Sequence, residues 1–323
     1  MGVLDSLSGR ARVSIEVVPP SRGGDIEDIK AAVGLLMPHE PAFVSVTDHP
    51  VGRAWADAAG RPERVALRTK PGTLGTAVAI REAFRVETVP HLVCAGADRL
   101  ATEDLLIDLH YAGFRDLFVI RGDERFAPSA ARRAAEGGGE EGYAHAVDLV
   151  SHIARLNSGE YTPPAKGRPT DFRVGVAGYP GKHFAAPNPE ADIRRLKEKV
   201  EAGASFVVTQ MLFEPAAYSA FVARLRAEGV GVPVIPGIKP VLRAAALESI
   251  PRTFFVDIPE ALARRLEEAR SPAEERAAGI EWAAGLAAGL LDAGAPCLHF
   301  FTMGSGAATK AVLDALYGTK GGV

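Results

Sequence analysis

Eight short runs of β-branched or apolar residues, separated by stretches of helical periodicity, constrain this chain more than any other feature. The runs are "RVSIEVV" (12–18), "AFVSVT" (42–47), "VPHLVC" (89–94), "DLFVIRG" (116–122), "FRVGVAGY" (172–179), "SFVVTQMLF" (205–213), "VPVIPGI" (232–238) and "CLHFFTM" (297–303). Between them lie helical patterns such as "DIEDIKAAVGLL" (25–36), "TEDLLIDLHYAG" (102–113), "EADIRRLKEKVEAG" (190–203), "PAAYSAFVARLRAEG" (215–229) and "AAGIEWAAGLAAGLLDAG" (277–294). Strands that alternate with helical crossovers demand a parallel sheet. Eight of them, with "AATKAVLDALYG" (307–318) as a closing helix, point to an α/β fold of the (β/α)8 TIM-barrel type. An open dinucleotide-binding sheet would want G-x-G-x-x-G after the first strand, and "VVPPSRGGD" does not supply it. With 323 residues, 47% of them hydrophobic, the expectation is one barrel domain over residues 1–323.

Three segments interrupt the alternation. "PVGRAWADAAGRPE" (50–63) and "DERFAPSAARRAAEGGGEEG" (123–142) read as loops. The second directly follows a strand end and reads either as a mobile lid or as an insert without a role. Residues 250–276 read as extra helices between strands seven and eight.

Charge narrows the partners. Lys plus Arg is 37 against 40 for Asp plus Glu, which gives no electrostatic case for nucleic acid or a membrane surface. No uncharged apolar run approaches spanning length, and "MGVLDSLSGR" has no long apolar stretch, so a soluble cytoplasmic protein is expected. Cys94 and Cys297 form no CxxC and sit in apolar runs, as buried free thiols do. The eight histidines show no HExxH or other ligand spacing, so no metal is expected.

Barrel chemistry sits at the carboxyl ends of the strands. Glu16 lies on the first strand among Ile15, Val17 and Val18, Thr47 ends the second, and Asp123 follows the fourth. Tyr179 ends the fifth, Gln210 interrupts the sixth, and His91 is nearer the middle of the third. A lone Glu16 reads as a partner for a barrel arginine or as an outward-facing residue. Together with four other polar residues at one barrel face, it reads as a carboxyl held in apolar surroundings. Desolvation there raises a carboxyl pKa and makes a general acid. Asp192, Arg195 and Lys199 recur at helical spacings of three and four, and so share one face near a helix start. "GSGAATK" (304–310) is a Gly-rich helix start and reads as a plain turn. Tyr218 and Phe221 fit the apolar face of a helix, as core residues.

Taken together, these residues resemble the methylenetetrahydrofolate reductase family. The motifs run in the family's order from about Val13 to Leu316: "EVVPP" (16–20), "FVSVT" (43–47), "PHLVC" (90–94), "IRGD" (120–123), "VGVAGYP" (174–180), "ADIRRLKEKVEAGASFVVTQMLF" (191–213), "PGIKP" (236–240) and "HFFT" (299–302). The resemblance implies a flavin enzyme that reduces 5,10-methylenetetrahydrofolate, hydride passing from NAD(P)H through FAD. It implies Glu16 as general acid, Asp123 as the folate-orienting aspartate and Gln210 as the glutamine serving folate and nicotinamide. Thr47 matches the nicotinamide-side threonine. Flavin contacts carry over to His91, Arg121, Gly122, Asp123, Ala146, Tyr179, His183, Ala186, Asp192 and Lys199. Arg195 stands where the family has a flavin-contact asparagine. "DHPVGR" (48–53) replaces a tyrosine and a Gly/Ala-rich turn, and Ser305 stands where an arginine meets folate. Two other readings follow from these departures: direct hydride transfer from NAD(P)H without flavin, and a non-catalytic barrel subunit of a methyl-transfer complex. Oligomeric state, a homo-oligomer included, is open.

Overall fold

A computed structural model describes residues 2–7, 12–49, 53–56, 62–65, 70, 72–95, 97–122, 142–162, 165–302 and 305–318. Eight strands close a parallel barrel: β1 (Arg12–Val17), β2 (Val44–Val46), β3 (Thr88–Val93), β4 (Asp116–Ile120), β5 (Arg173–Gly178), β6 (Ala204–Leu212), β7 (Val234–Ile238) and β8 (Cys297–Phe301). Each strand pairs with its sequence neighbours, and β1 closes the ring on β8 with Glu16 opposite Phe301. The expected TIM-barrel class is therefore the observed one.

Helices surround the ring: α1 (Val3–Ser6), α2 (Ile26–Gly34), α3 (Thr73–Phe84), α4 (Arg99–Tyr111), α5 (Ala146–Asn157), α6 (Pro189–Glu201), α7 (Pro215–Ala227), α8 (Ala246–Phe254), α9 (Glu260–Glu267), α10 (Pro272–Asp292) and α11 (Ala307–Tyr317). Their starts are written locally. Asp98 accepts from the Ala101 N–H to cap α4, and Asn188, with Pro189 behind it, accepts from Ala191 to cap α6. Ser271 and Pro272 do the same for α10, which therefore begins before the 277 that apolar periodicity marks. Between β7 and α10 lie α8 and α9, α8 starting at Ala246. The 50–63 stretch contains an antiparallel pair, Arg53–Ala56 with Pro62–Val65, where the sequence shows only a loop. Gly306 starts α11 in the left-handed region (φ 63°), and a Cβ there would lie 2.7 Å from the Ala32 carbonyl oxygen. Residues 123–141 lie outside the described ones, so the expected loop and Asp123 do too.

Side-chain alternation divides two cores. Ile15, Val17, Val44, Val46, Leu92, Val119, Val176 and Leu298 face outward onto the crossover helices. Phe43, Val89, Phe118, Phe206, Val208, Ile235 and Cys297 fill the barrel, with Val3 of α1 packed beneath. Tyr218 and Phe221 are core, as their spacing on α7 indicates, and Cys94 and Cys297 are buried free thiols. On the outer wall a Tyr143–His152–Glu103 chain (2.5 and 2.7 Å) ties α5 to α4. Among the described residues, no helix is long and apolar enough to cross a membrane.

Candidate active site

The alternation answers what Glu16 is doing on an apolar strand. Its neighbours Ile15 and Val17 point out of the barrel, whereas Ser14 and Glu16 point in. What surrounds the carboxylate is therefore the inward-facing rung of the adjoining strands. His91 Nε2 of β3 and His299 Nε2 of β8 each stand 3.8 Å from Glu16 Oε2. The Ser14 hydroxyl lies 2.9 Å from His299 Nδ1, and Phe43 stacks on the same imidazole. Just past the end of β8, Thr302 donates both its N–H and its hydroxyl to the Glu16 carbonyl oxygen, which holds the strand end.

This polar shell overturns the expected direction of the Glu16 pKa. Burial does push it up, but the hydrogen-bonding and charges of His299, His91 and His49 outweigh burial and hold it below the ordinary carboxylate value. His91 pays the complementary cost. Burial lowers its pKa to about 4, so it is neutral at physiological pH. Among the described residues, no three His, Cys, Asp or Glu side chains are placed to hold a metal ion.

Glu16 lines a cavity of about 460 Å³ at the carboxyl end of the barrel. Thr47, His91, Arg121, Gly122, Tyr179, His183 and Gln210 line it too, so most of the residues singled out in the sequence converge. Gln210 gets there through a bulge. Val208 pairs with Ile235 but Met211 with Gly237, so β6 carries one extra residue. Both Gln210 and Met211 consequently reach the cavity, and Gln210 Oε1 accepts from the Met211 N–H at 2.9 Å. Gly122 (φ 81°) permits the close turn after β4, because a Cβ would lie 2.4 Å from Val93 Cγ1. Thr47 Oγ1 lies 3.3 Å from Nε2 of His49, a residue that also lines the cavity.

A second cavity of about 250 Å³ shares Ile120, Arg121, Ala177, Tyr179 and His183 with the first. Its far wall is Ala146 of α5 and Asp192, Arg195, Glu198 and Lys199 of α6. Ile193 and Leu196 bury the other face of α6, which is why the charged trio is presented here. Lys199 Nζ donates to the Ala177 carbonyl at 2.7 Å, and burial lowers its pKa to about 8 against the pull of Asp192. Asp192 Oδ2 accepts from the His183 N–H, and His183 Nδ1 accepts from the Ala185 N–H. That leaves the proton of the neutral ring on Nε2; burial brings the His183 pKa to about 4. Tyr179 stays a phenol, raised by burial to about 12. Ala186 is buried behind this wall, its N–H bonded to the His183 carbonyl.

The donor set fits a dinucleotide. Lys199, Arg195 and Arg121 would supply cations to a diphosphate and Asp192 an acceptor to ribose hydroxyls, and the adjoining mouth has room for a planar ring. Sequence reading gave no separate role to His49, His299 or Lys239. The signal for His299 was present: it shares strand parity with Cys297 and Phe301 and faces Ser14 across the β1–β8 pairing. Lys239 follows β7, where burial lowers its pKa and the Glu16 charge raises it.

Comparison with known proteins gives this geometry its context. The chain is 28% identical over 314 residues to the 5,10-methylenetetrahydrofolate reductase of Pectobacterium carotovorum, covering 97% of this chain and 92% of that one. It is 27% identical to methylenetetrahydrofolate reductase (NADH) 1 of Arabidopsis thaliana, and 28% identical to a probable methylenetetrahydrofolate reductase (NADPH) of Caenorhabditis elegans. It spans 46% and 42% of the length of those two proteins. An uncharacterised Clostridium thermocellum protein that binds two copies of 5-methyl-5,6,7,8-tetrahydrofolic acid shares the fold, with a TM-score of 0.59 and 13% identity over 97% of this chain and 95% of that one. The family model described as methylenetetrahydrofolate reductase matches residues 3–317, so this chain belongs to the methylenetetrahydrofolate reductase family.

Proposed function

We propose that this protein reduces 5,10-methylenetetrahydrofolate to 5-methyltetrahydrofolate, with NAD(P)H as electron source, FAD as cofactor and Glu16 as proton donor. The observation that carries the reading is the position of Glu16, a carboxyl facing inward at the carboxyl end of the barrel, in a cavity large enough for a folate ring system. The methylene bridge of the substrate is a poor hydride acceptor until its five-membered ring opens to an iminium cation. Opening breaks the C–N10 bond, and N10 leaves only if it takes a proton. Glu16 supplies it.

The low pKa of Glu16 in the free protein is compatible with that role. Its carboxylate is supported by the surrounding imidazoles, chiefly through the hydrogen bond of His299. A ligand that fills the cavity further desolvates the carboxyl, the influence that already pushes its pKa up in the free protein. Glu16 therefore rises toward its working range as substrate enters. Gln210, pinned through its carbonyl oxygen by the Met211 N–H, presents its amide NH2 to the ligand. Asp123 is assigned the stabilisation of the cation, and Thr47 the nicotinamide side.

FAD, when bound, supplies hydride storage between the two substrates. Lys199, Arg195, Arg121 and Asp192 would hold its diphosphate and ribose, Ala146 and Gly122 would give close backbone approach, Tyr179 and His183 stand where the two cavities meet, and His91 and Ala186 are assigned flavin contacts beside them. A second reading, direct hydride transfer from NAD(P)H to the folate, draws on His49, whose imidazole lines the cavity beside Thr47. Flavin absorbance in freshly purified protein, and its recovery on adding FAD, separates the two. A single-turnover reaction of the FAD-loaded, reduced protein with methylenetetrahydrofolate then tests the activity. The proposal expects stoichiometric 5-methyltetrahydrofolate. No methyl product from any electron donor would leave the barrel as a non-catalytic subunit.

A further inference from the structure

The rim of the mouth carries two phenylalanines that are among the most exposed large apolar side chains of the described residues. Phe184, in the loop after β5, is 46% exposed, and Phe255, after α8, is 51% exposed. Their rings stack face to face, with centroids 5.0 Å apart and planes at 26°. Pairing alone has therefore not hidden either ring from water. Phe255 is also in the left-handed region (φ 55°), at the position that ends α8, with its N–H bonded to the Pro251 carbonyl. Glycine or asparagine is preferred at such a cap, and any other L-residue pays a steric penalty. Backbone strain of this kind tends to collect at ligand clamps and active sites.

Position turns cost into function. Both rings line the cavity that holds Glu16, and they reach it from opposite segments of the chain: the β5–α6 loop and the helices between β7 and β8. Ring contacts continue inward, with the Phe184 centroid 4.4 Å from that of His183 in a tilted pair and His183 4.7 Å from Tyr179 edge to face. A row of four rings thus runs along the wall from the rim toward the barrel axis.

We propose that Phe184 and Phe255 form an aromatic clasp that parts to grip the aminobenzoyl ring of the folate. The inference rests on the functional reading above, and the covalent structure of folate selects the ring. N10 is bonded directly to the aminobenzoyl group. If N10 meets Glu16, that ring is the next planar group outward, while the pterin lies on the other side of the reacting carbon. The clasp thereby assigns a substrate-specificity role to two residues outside the acid and dinucleotide machinery. Offset stacking on one phenyl face contributes a modest, measurable affinity.

The experiment compares two probes by calorimetry: 5-methyltetrahydrofolate, and a tetrahydropterin that lacks the aminobenzoyl group. Phe255→Asn relieves the backbone penalty, so it should raise Tm while weakening 5-methyltetrahydrofolate by about threefold to tenfold. Phe184→Leu, which keeps an apolar side chain but removes the ring, should weaken that probe comparably. Neither substitution should alter tetrahydropterin affinity. Gain of stability with loss of folate affinity is an outcome that a structural role for Phe255 does not produce. Unchanged 5-methyltetrahydrofolate affinity in both variants, or equal weakening of both probes, would overturn the clasp while leaving the functional reading intact. Failure of the wild-type protein to bind 5-methyltetrahydrofolate would instead remove the functional reading, and the clasp with it.

Discussion

Glu16 shows how far a side chain's sequence neighbours can mislead about its surroundings. Ile15 and Val17 suggest an apolar site, but on a β-strand they belong to the opposite face. The true neighbours, His91 and His299, come from positions 75 and more residues away, and they reverse the direction of the Glu16 pKa. Placing a neutral imidazole beside that carboxylate has a measurable consequence. The folded-state pKa of His91 is about 4, against an ordinary 6.5 when unfolded. Between those values the unfolded chain binds the extra proton, so stability falls as pH drops through that window. Glu16, also lowered, acts with the same sign below its ordinary value. Thermal melts from pH 7 to pH 4.5 should show Tm falling, with a shallower slope in His91→Asn. Comparing the two slopes isolates His91 from Glu87 and Asp116, which burial raises and which act in the opposite sense. Parallel slopes would mean that His91 is not held neutral.

Helix α6 is the element whose chemistry depends most on what lies behind it. Its sequence shows the amphipathic period plainly, and a solvated charged face would be the ordinary outcome. The fold instead lays Asp192, Arg195 and Lys199 along a cavity, with Lys199 reaching the Ala177 carbonyl of β5. Because burial brings Lys199 to about 8, its charge is present below that pH and lost above it. Affinity for FAD should therefore be steady from pH 6.5 to 7.5 and decline through pH 8 to 9.5. Lys199→Met should bind weakly and without that decline, as read by flavin fluorescence quenching. A pH-independent affinity in the wild type would remove Lys199 from the diphosphate site. Elements also mark where local pattern is silent. α3 and α5 were not singled out by periodicity, and the Arg53–Ala56 pairing with Pro62–Val65 carries little strand propensity. The bulge that delivers Gln210 depends on the register between β6 and β7, a long-range property that no window of sequence contains.

At the scale of the molecule, the alternation of eight strands with helices was legible because each parallel strand is buried on both faces and each crossover is amphipathic. Closure of the ring follows from the count and places every strand end on one rim. That is why Glu16, Thr47, His91, Tyr179 and Gln210, scattered over nearly two hundred positions, line one cavity. His91 and the strand parity of His299 were legible, but their meeting at Glu16 and the Phe184–Phe255 pair were not, since each depends on side chains meeting across the barrel. The whole account turns on proton delivery to N10 at that common mouth, and one variant separates it from every other contribution of the barrel. In Glu16→Gln, the amide keeps the shape of the carboxyl and has no proton to give. Stopped-flow measurement of the two half-reactions should find reduction of the FAD-loaded protein by NAD(P)H unchanged, and methylenetetrahydrofolate reduction slowed by about a hundredfold or more. Folate reduction at the wild-type rate in that variant would contradict the account.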